Sequence, residues 1–394
     1  MEWKHVSTKD DATIIPDSWI YIHYYEALNT LFRLENSLRV FVYIVLKNNL
    51  FDKWSDIQIT SDDAEPATIQ TIAKKRKNQA QEFGYLGYNI SCPVMYLTSG
   101  ELIRIITSES YWKYFKSYFP ASKQTVQYKL DEIGVIRNSL AHFRPLKSDD
   151  VDVIKNNARH ALSGVDYFLE QLGECYDVVP TNTPDNWYLS ISPLHNEWCD
   201  LKLHQSEDQT WVQLTFYYHS KVIYSTDYSL KREFYSHQVL NLITPHILEH
   251  YGNITKYATC LTEMPADTDD YDPQNPSFSK VFHINFNRDV LSKYYESIAN
   301  DIQHFLNDIK SETELILNDN LARGKLISVA RISAKLQQAE KGKHWRIDSK
   351  DTLSPDTKDR SFPEYWGHIF LLTSMVTTSD EYPWMPTEVS KFSI

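Results

Sequence analysis

Val126-Gln127-Tyr128-Lys129-Leu130-Asp131-Glu132-Ile133-Gly134-Val135-Ile136-Arg137-Asn138-Ser139-Leu140-Ala141-His142 decides how the first half of this 394-residue chain is read. Val126, Leu130, Ile133 and Leu140 fall on one helical stripe, and the position missing from that stripe is 137, which holds arginine. Ser122 is a good N-cap, and Pro145 biases Arg144 away from helical backbone, so the spacing predicts a helix over 121–144. An arginine on an apolar stripe is costly unless it is paired or faces a cleft or a partner. Asn138 and His142 stand one helical turn apart on an adjoining face. His142 lies in the last turn, where helix carbonyls favour a cation.

A second helix is expected over 17–48, with Leu28, Leu31, Leu38, Val42 and Val45 on its apolar stripe. The slot between Leu31 and Leu38 is filled by Glu35. Each stripe is thus broken once, and the two breaks carry opposite charges. The economical inference is that Glu35 and Arg137 meet, or approach each other across a pocket. Arg39 follows Glu35 at i+4 in the favourable acid-before-base order.

Arg137, Asn138 and His142 form an R-N-x-x-x-H pattern that resembles the motif of the HEPN superfamily, whose members are mostly helical-bundle ribonucleases. The run Leu31-Phe32-Arg33-Leu34-Glu35-Asn36-Ser37-Leu38-Arg39 is similar to the first helix of abortive-infection HEPN domains. Tyr96-Leu97-Thr98, Leu102-Ile103, Trp112, Phe115 and Phe119 resemble the remainder, and the likeness covers roughly 17–175. The resemblance implies an all-α HEPN-like bundle of four or five helices and a metal-independent endoribonuclease needing no cofactor. It also implies a homodimer with a composite cleft and products ending in a 2′,3′-cyclic phosphate and a 5′-hydroxyl.

The residue types suit that chemistry. An imidazole such as His142 moves a proton near neutral pH, and the guanidinium of Arg137 stabilises charge growing on phosphate oxygens. Asn138 would orient the imidazole or bond a phosphate oxygen, and Glu35 would hold Arg137. Asn36 and Arg39 are supporting substrate-binding candidates. By the same analogy, the fusion suits a toxin or antiphage effector cutting tRNA or mRNA. A non-catalytic HEPN module binding RNA or protein is the alternative.

The formal net charge is −12. Residues 1–180 hold 20 Lys+Arg against 23 Asp+Glu, and residues 181–394 hold 20 against 29. Such a balance excludes a general nucleic-acid coat protein, because backbone binding needs clustered cations. Lys74-Lys75-Arg76-Lys77 is the one dense basic run and a candidate RNA contact, though such runs are more often solvated helix faces. Cys92, Cys175, Cys199 and Cys260 are far apart and form no CxxC pair. The Met1-Glu2-Trp3-Lys4 start lacks signal-peptide character, and the apolar run 40–46 is too short for a bilayer, so a cytoplasmic protein without membrane contact is expected.

Three segments are read along the chain: a helical-bundle domain over 1–178, a linker over 179–186, and a mixed α+β domain with an antiparallel sheet over 187–394. Within the first, 1–16 reads as a lead-in, 55–66 as a loop, and 67–83, 99–118 and 148–173 as helices. Within the last, alternation predicts strands at 187–192, 198–203, 211–218 and 221–228, and helices near 235–250 and over 288–312. This domain is expected to sense a trigger, bind a partner or select the RNA. His246-Ile247-Leu248-Glu249-His250 matches the HxxEH signature of a zinc peptidase helix, with Glu312 and Glu314 available as a further ligand. No nucleophile elbow, P-loop or dinucleotide fingerprint is present.

Overall fold

The computed structural model describes residues 7–9, 12–14, 22–61, 64–83, 92–144, 146–228, 233–264, 271–319, 324–339, 342–348 and 362–368. The chain divides into two compact units, one containing Met1–Glu174 and the other Cys175–Ile369. Among the described residues, no helix is long and apolar enough to cross a membrane.

The first unit opens with a small hairpin, β1 (Ser7–Lys9) and β2 (Ala12–Ile14), where an unstructured lead-in was expected. Helix α1 (Ile22–Leu50) follows and is the axis of the unit. It is buried on most of its circumference from Leu38 to Leu46, as a helix apolar nearly all round must be. The predicted loop at 55–66 is instead a short 3-10 turn and a second hairpin, β3 (Gln58–Ser61) with β4 (Ala64–Thr68). Its register slips between Ile59 and Ser61, which explains why no clean alternation is visible in the sequence.

Helix α2 (Ile69–Phe83) carries the basic run. The expected helix over 99–118 is broken into α3 (Ser99–Thr107), α4 (Trp112–Phe115) and a 3-10 turn. Thr98 and Glu101 form a capping box at the start of α3. Helices α5 (Lys123–Ala141) and α6 (Ser148–Gly173) complete the unit. Ser122 caps α5 by accepting from the Thr125 N–H, as its sequence predicts, whereas Pro145 lies outside the described residues.

Packing follows the stripes. α6 lies against α1 and α5, and α3 against α5. The ring of Phe41 meets those of Phe115, Tyr118, Phe119 and Phe168 at centroid distances of 5.3 to 6.0 Å. Close approach of the Tyr118 turn to α6 requires glycine at 164, because a Cβ there would sit 2.2 Å from the Tyr118 carbonyl oxygen. Asn157 of α6 is buried and stitches α5, accepting from Lys129 Nζ at 3.3 Å and donating to Glu132 Oε2 at 2.6 Å.

The second unit begins at Cys175, before the predicted linker over 179–186. β5 (Asp177–Val178) pairs antiparallel with β6 (Cys199–Gln205). The strand expected at 187–192 is a helix, α7 (Asn186–Ile191). Trp187, Tyr188 and Ile191 are its buried residues, a spacing that suits a helix as well as a short strand, and such apolar runs are ambiguous by periodicity alone. β7 (Trp211–Ser220) and β8 (Val222–Asp227) occur as expected. The helix expected near 235–250 is corrected: β9 (Phe234–Leu242) is a strand, and only α8 (Pro245–His250) is helical, followed by α9 (Gly252–Tyr257).

β10 (Cys260–Glu263), β11 (Phe278–Asn287), the long helix α10 (Arg288–Asp319), β12 (Ile327–Ala339), β13 (Gly342–Asp348) and β14 (Tyr365–His368) complete the unit. One sheet has six strands in the order β14-β10-β11-β7-β6-β5, antiparallel except for the parallel β10–β14 pair. A four-stranded antiparallel sheet runs β13-β12-β9-β8. α10 places Leu291, Ile298, Ile302, Phe305 and Ile309 in the core, the stripe expected for that helix. Phe305 meets the stacked rings of Phe216 and Phe282 edge-on.

Candidate active site

α1 and α5 bring the two stripe-breaking charges together. Arg137 Nε stands 3.6 Å from Glu35 Oε2. The other members of the α5 stripe, Val126, Leu130, Ile133 and Leu140, are all buried. On α1, Leu31, Leu38, Val42 and Val45 are buried, but Leu28 is 43% exposed and does not belong to the core. Tyr24 ties the same two helices where α5 ends, donating to the Leu140 carbonyl at 2.6 Å.

Glu35 sits at the centre of a polar network. Its Oε1 accepts from Arg39 Nη2, and its Oε2 accepts from Ser99 Oγ at the start of α3. Arg39 also donates from Nη1 to Asn36 Oδ1 at 2.9 Å and from Nε and Nη2 to the Leu97 carbonyl at 3.2 and 3.0 Å. The supporting candidates Asn36 and Arg39 therefore brace Glu35 and the α3 entry. Side-chain exposure falls from 35% at Arg137 to 17% at Arg39 and 14% at Glu35, so Arg137 is the arm of this network nearest solvent. Ser99 was not singled out by sequence: a helix was expected from 99, and Leu97 entered only through the family likeness, but nothing marked either as a partner of Glu35 or Arg39.

Asn138 and His142 are exposed on the adjoining face of α5. Arg137 Nη1 reaches Asn138 Oδ1 at 3.4 Å. His142 closes the helix with its backbone N–H, which donates to the Asn138 carbonyl at 3.1 Å. Among the described residues its imidazole has no hydrogen-bond partner. The chain then turns sharply: Phe143 N–H donates to Leu140 O at 3.0 Å and Arg144 N–H to Ser139 O at 2.9 Å. This is a Schellman closure, and its left-handed position is held by Phe143 at φ 55° with 86% of its surface exposed. Glycine normally fills that position, so a bulky exposed aromatic beside His142 is a feature that sequence reading passed over.

Tyr128 and Val135, 68% and 67% exposed, extend the Asn138–His142 face along α5. The cavity between Glu35, Ser99, Ile103 and Arg137 encloses about 10 Å³, room for roughly one water. Any larger group must therefore approach Arg137 from the outer surface.

The basic run is split. Arg76 donates from both terminal nitrogens to the Glu101 carboxylate at 2.7 and 2.8 Å, whereas Lys74, Lys75 and Lys77 are exposed. Burial pushes the Glu101 carboxyl up, but Arg76 and the hydrogen bonds from Thr98 outweigh it and leave the group below the usual carboxylate range. Arg76 is thus a structural tie.

In the second unit His246, Glu249 and His250 do converge, with ligand atoms within 4.8 Å of one another. His246 Nδ1 is 2.6 Å from the Lys325 carbonyl, so Nε2 is its other ring nitrogen for a ligand. Glu312, the further ligand considered, is committed elsewhere: it accepts from the backbone N–H groups of Lys325, Leu326 and Ile327 at 2.8 to 2.9 Å. Glu314 pairs with Lys310 at 3.7 Å.

No protein-family model matches the chain, and no curated protein or solved structure matches it either.

Proposed function

We propose that the first unit is a metal-independent endoribonuclease whose reacting groups are His142, Arg137 and Asn138, with Glu35 as the positioning residue. The observation that carries the reading is the approach of Arg137 to Glu35 from separate helices, beside an exposed asparagine and an exposed imidazole. An arginine held from behind by a carboxylate keeps its remaining donors free for a phosphate. The likeness to the HEPN motif supports the same reading.

In the proposed reaction the RNA 2′-oxygen attacks the adjacent phosphorus. The O2′–P bond forms, the P–O5′ bond breaks, the 2′-hydroxyl proton leaves to a base, and the 5′-oxygen gains a proton. His142 serves one of these transfers and Arg137 stabilises the charge on the phosphorane oxygens. The fragments carry a 2′,3′-cyclic phosphate and a 5′-hydroxyl.

The surface position of these residues supports a homodimer in which a second copy walls the cleft. Tyr128 and Val135 would be the apolar contacts, because exposed apolar groups along a functional face mark an interface. Sedimentation at micromolar concentration tests this, and Val135→Glu is expected to yield a monomer. Wild-type protein and His142→Ala, each incubated with total cellular RNA in EDTA, test the reaction. Discrete cyclic-phosphate fragments from wild type alone are expected. Intact RNA in both tubes, with RNA binding retained, would favour the non-catalytic module.

The His246–Glu249–His250 convergence supports a second reading, a zinc site in the other unit. Equilibrium dialysis against zinc tests it: one ion bound per wild-type chain and none by His246→Ala is expected on that reading.

A further inference from the structure

The second unit contains a cavity of about 580 Å³, within the range of small-molecule sites. It lies where β7 passes into the edge strand β8, and its walls include Trp198, Ser220, Lys221, Tyr224, Ser225 and Phe278. Among the described residues, two wall groups are buried donors without a partner. Ser220 is 5% exposed and its Oγ has no hydrogen bond, and the Trp198 Nε1 is equally enclosed and unbonded. Buried polar groups are almost always satisfied, so an orphan pair lining one cavity points to something the cavity holds.

The chemistry of the walls narrows what that is. An indole N–H only donates, and an ammonium only donates. Two other polar groups of the wall already have partners: Glu197 with Lys310 at 2.9 Å and His219 with Asp200 at 2.8 Å. Among the described residues, the buried donors and the cation of the wall left open are Trp198 Nε1, Ser220 Oγ and the exposed Lys221, a set that suits a negatively charged acceptor, with the exposed Asn275 and Ser277 beside them. Tyr224, 59% exposed, and the buried Phe278 are further aromatic residues of the same wall. A planar ring suits them.

Ser225 adds a fixed hydroxyl. Its Oγ is 2.8 Å from Nδ1 of the fully buried His237, whose Nε2 is 2.6 Å from the Tyr271 hydroxyl. This chain resembles a nucleophile relay, but the group behind His237 is a phenol, and burial pushes that phenol well above its ordinary range. Among the described residues no carboxylate offsets an imidazolium there, and burial pushes His237 down. Ser225 is accordingly a binding group.

We infer that this cavity is a binding site for a small anion bearing a planar ring, of mononucleotide size, with its acceptor oxygens on Trp198, Ser220 and Lys221. The inference is independent of the ribonuclease reading, since it concerns other residues and its test reads binding alone.

Calorimetric titration of the full chain with AMP, CMP, GMP and UMP, and with inorganic phosphate and the matching nucleosides, decides it. At least one nucleotide is expected to bind at one per chain, more tightly than its nucleoside or phosphate. Trp198→Phe keeps the ring but removes the donor, and Lys221→Met removes the charge at an exposed position, so both fold. Each is expected to weaken binding about tenfold, the scale of one hydrogen bond to a charged acceptor. His142→Ala is expected to leave it unchanged. Absence of heat with all four nucleotides at about 1 mM, a concentration that detects even weak sites, would overturn the inference. So would nucleotide affinity that is unchanged in both Trp198→Phe and Lys221→Met.

Discussion

Glu35 Oε2 receives Ser99 Oγ and stands 3.6 Å from Arg137 Nε, while Oε1 of the same carboxylate receives Arg39. One anion therefore faces two cations. Removing its charge takes the carboxylate from the more buried guanidinium, Arg39, whereas removing Arg137 leaves Glu35 with Arg39 and Ser99. Glu35→Gln is expected to destabilise the first unit by about 2–3 kcal/mol, and Arg137→Gln by less than about 1 kcal/mol, because Arg137 is the arm nearest solvent and stands 3.6 Å from the carboxylate. Urea unfolding of the two variants checks the order. Equal losses would mean that the carboxylate depends on Arg137 rather than on Arg39 and Ser99.

The exposed members of the motif should separate chemistry from stability. The helix-closing bond at His142 comes from its backbone N–H, which survives alanine substitution. His142→Ala and Asn138→Ala are expected to lose RNA cleavage while unfolding within about 0.5 kcal/mol of wild type, the usual range for surface changes. Cyclic-phosphate end analysis and a denaturant curve on the same preparations check this. A cleaving His142→Ala protein would remove His142 from the mechanism.

Phe143 occupies the left-handed turn position at φ 55° and gains little burial in return. Relieving that backbone cost with Phe143→Gly is expected to stabilise the first unit by about 1 kcal/mol. A residue kept at such a cost and exposed beside His142 is expected to serve RNA contact. The same variant should therefore cleave more weakly despite its greater stability. Thermal unfolding and RNA cleavage measured side by side check both halves.

What could be read in advance was whatever depended on periodicity over a long span. The α5 and α10 stripes and the approach of Glu35 to Arg137 all follow from many residues agreeing on one period. Leu28 fits its stripe yet is exposed, because a periodicity marks a face and does not say where its cover ends. Residues 187–192 and 234–242 misled for a different reason. Each is short, and only tertiary pairing decides between helix and strand; β9 is a strand because β8 and β12 lie on either side. Ser99, Tyr24 and the Trp198–Ser220 cavity were illegible, since each depends on partners more than 20 residues away meeting in space. The Lys74–Lys77 run shows the limit of composition: the one residue with a strong built-in partner, Arg76, looked the same as its neighbours.

The two units are expected to respond to acid with opposite sign. In α6, burial and then the neighbouring Glu170 push the Asp166 carboxyl up to about 6. Its ordinary value is about 3.9. A carboxyl raised on folding holds its proton longer in the native state, so its contribution is fully present below about 3.9 and is lost as pH rises through about 6. In the second unit, burial and then His204 push His283 down to about 4. A histidine lowered on folding takes up its proton earlier when unfolded, so stability is intact above about 6.5 and is lost as pH falls toward 4. Moving from pH 7 to pH 5 should thus strengthen the first unit and weaken the second. Scanning calorimetry of the full chain at both pH values checks the divergence, with Asp166→Asn and His283→Gln identifying the transitions. Asp166→Asn should flatten the response of the first unit alone, and His283→Gln that of the second. Transitions that move together in both variants would show that other groups govern the acid response.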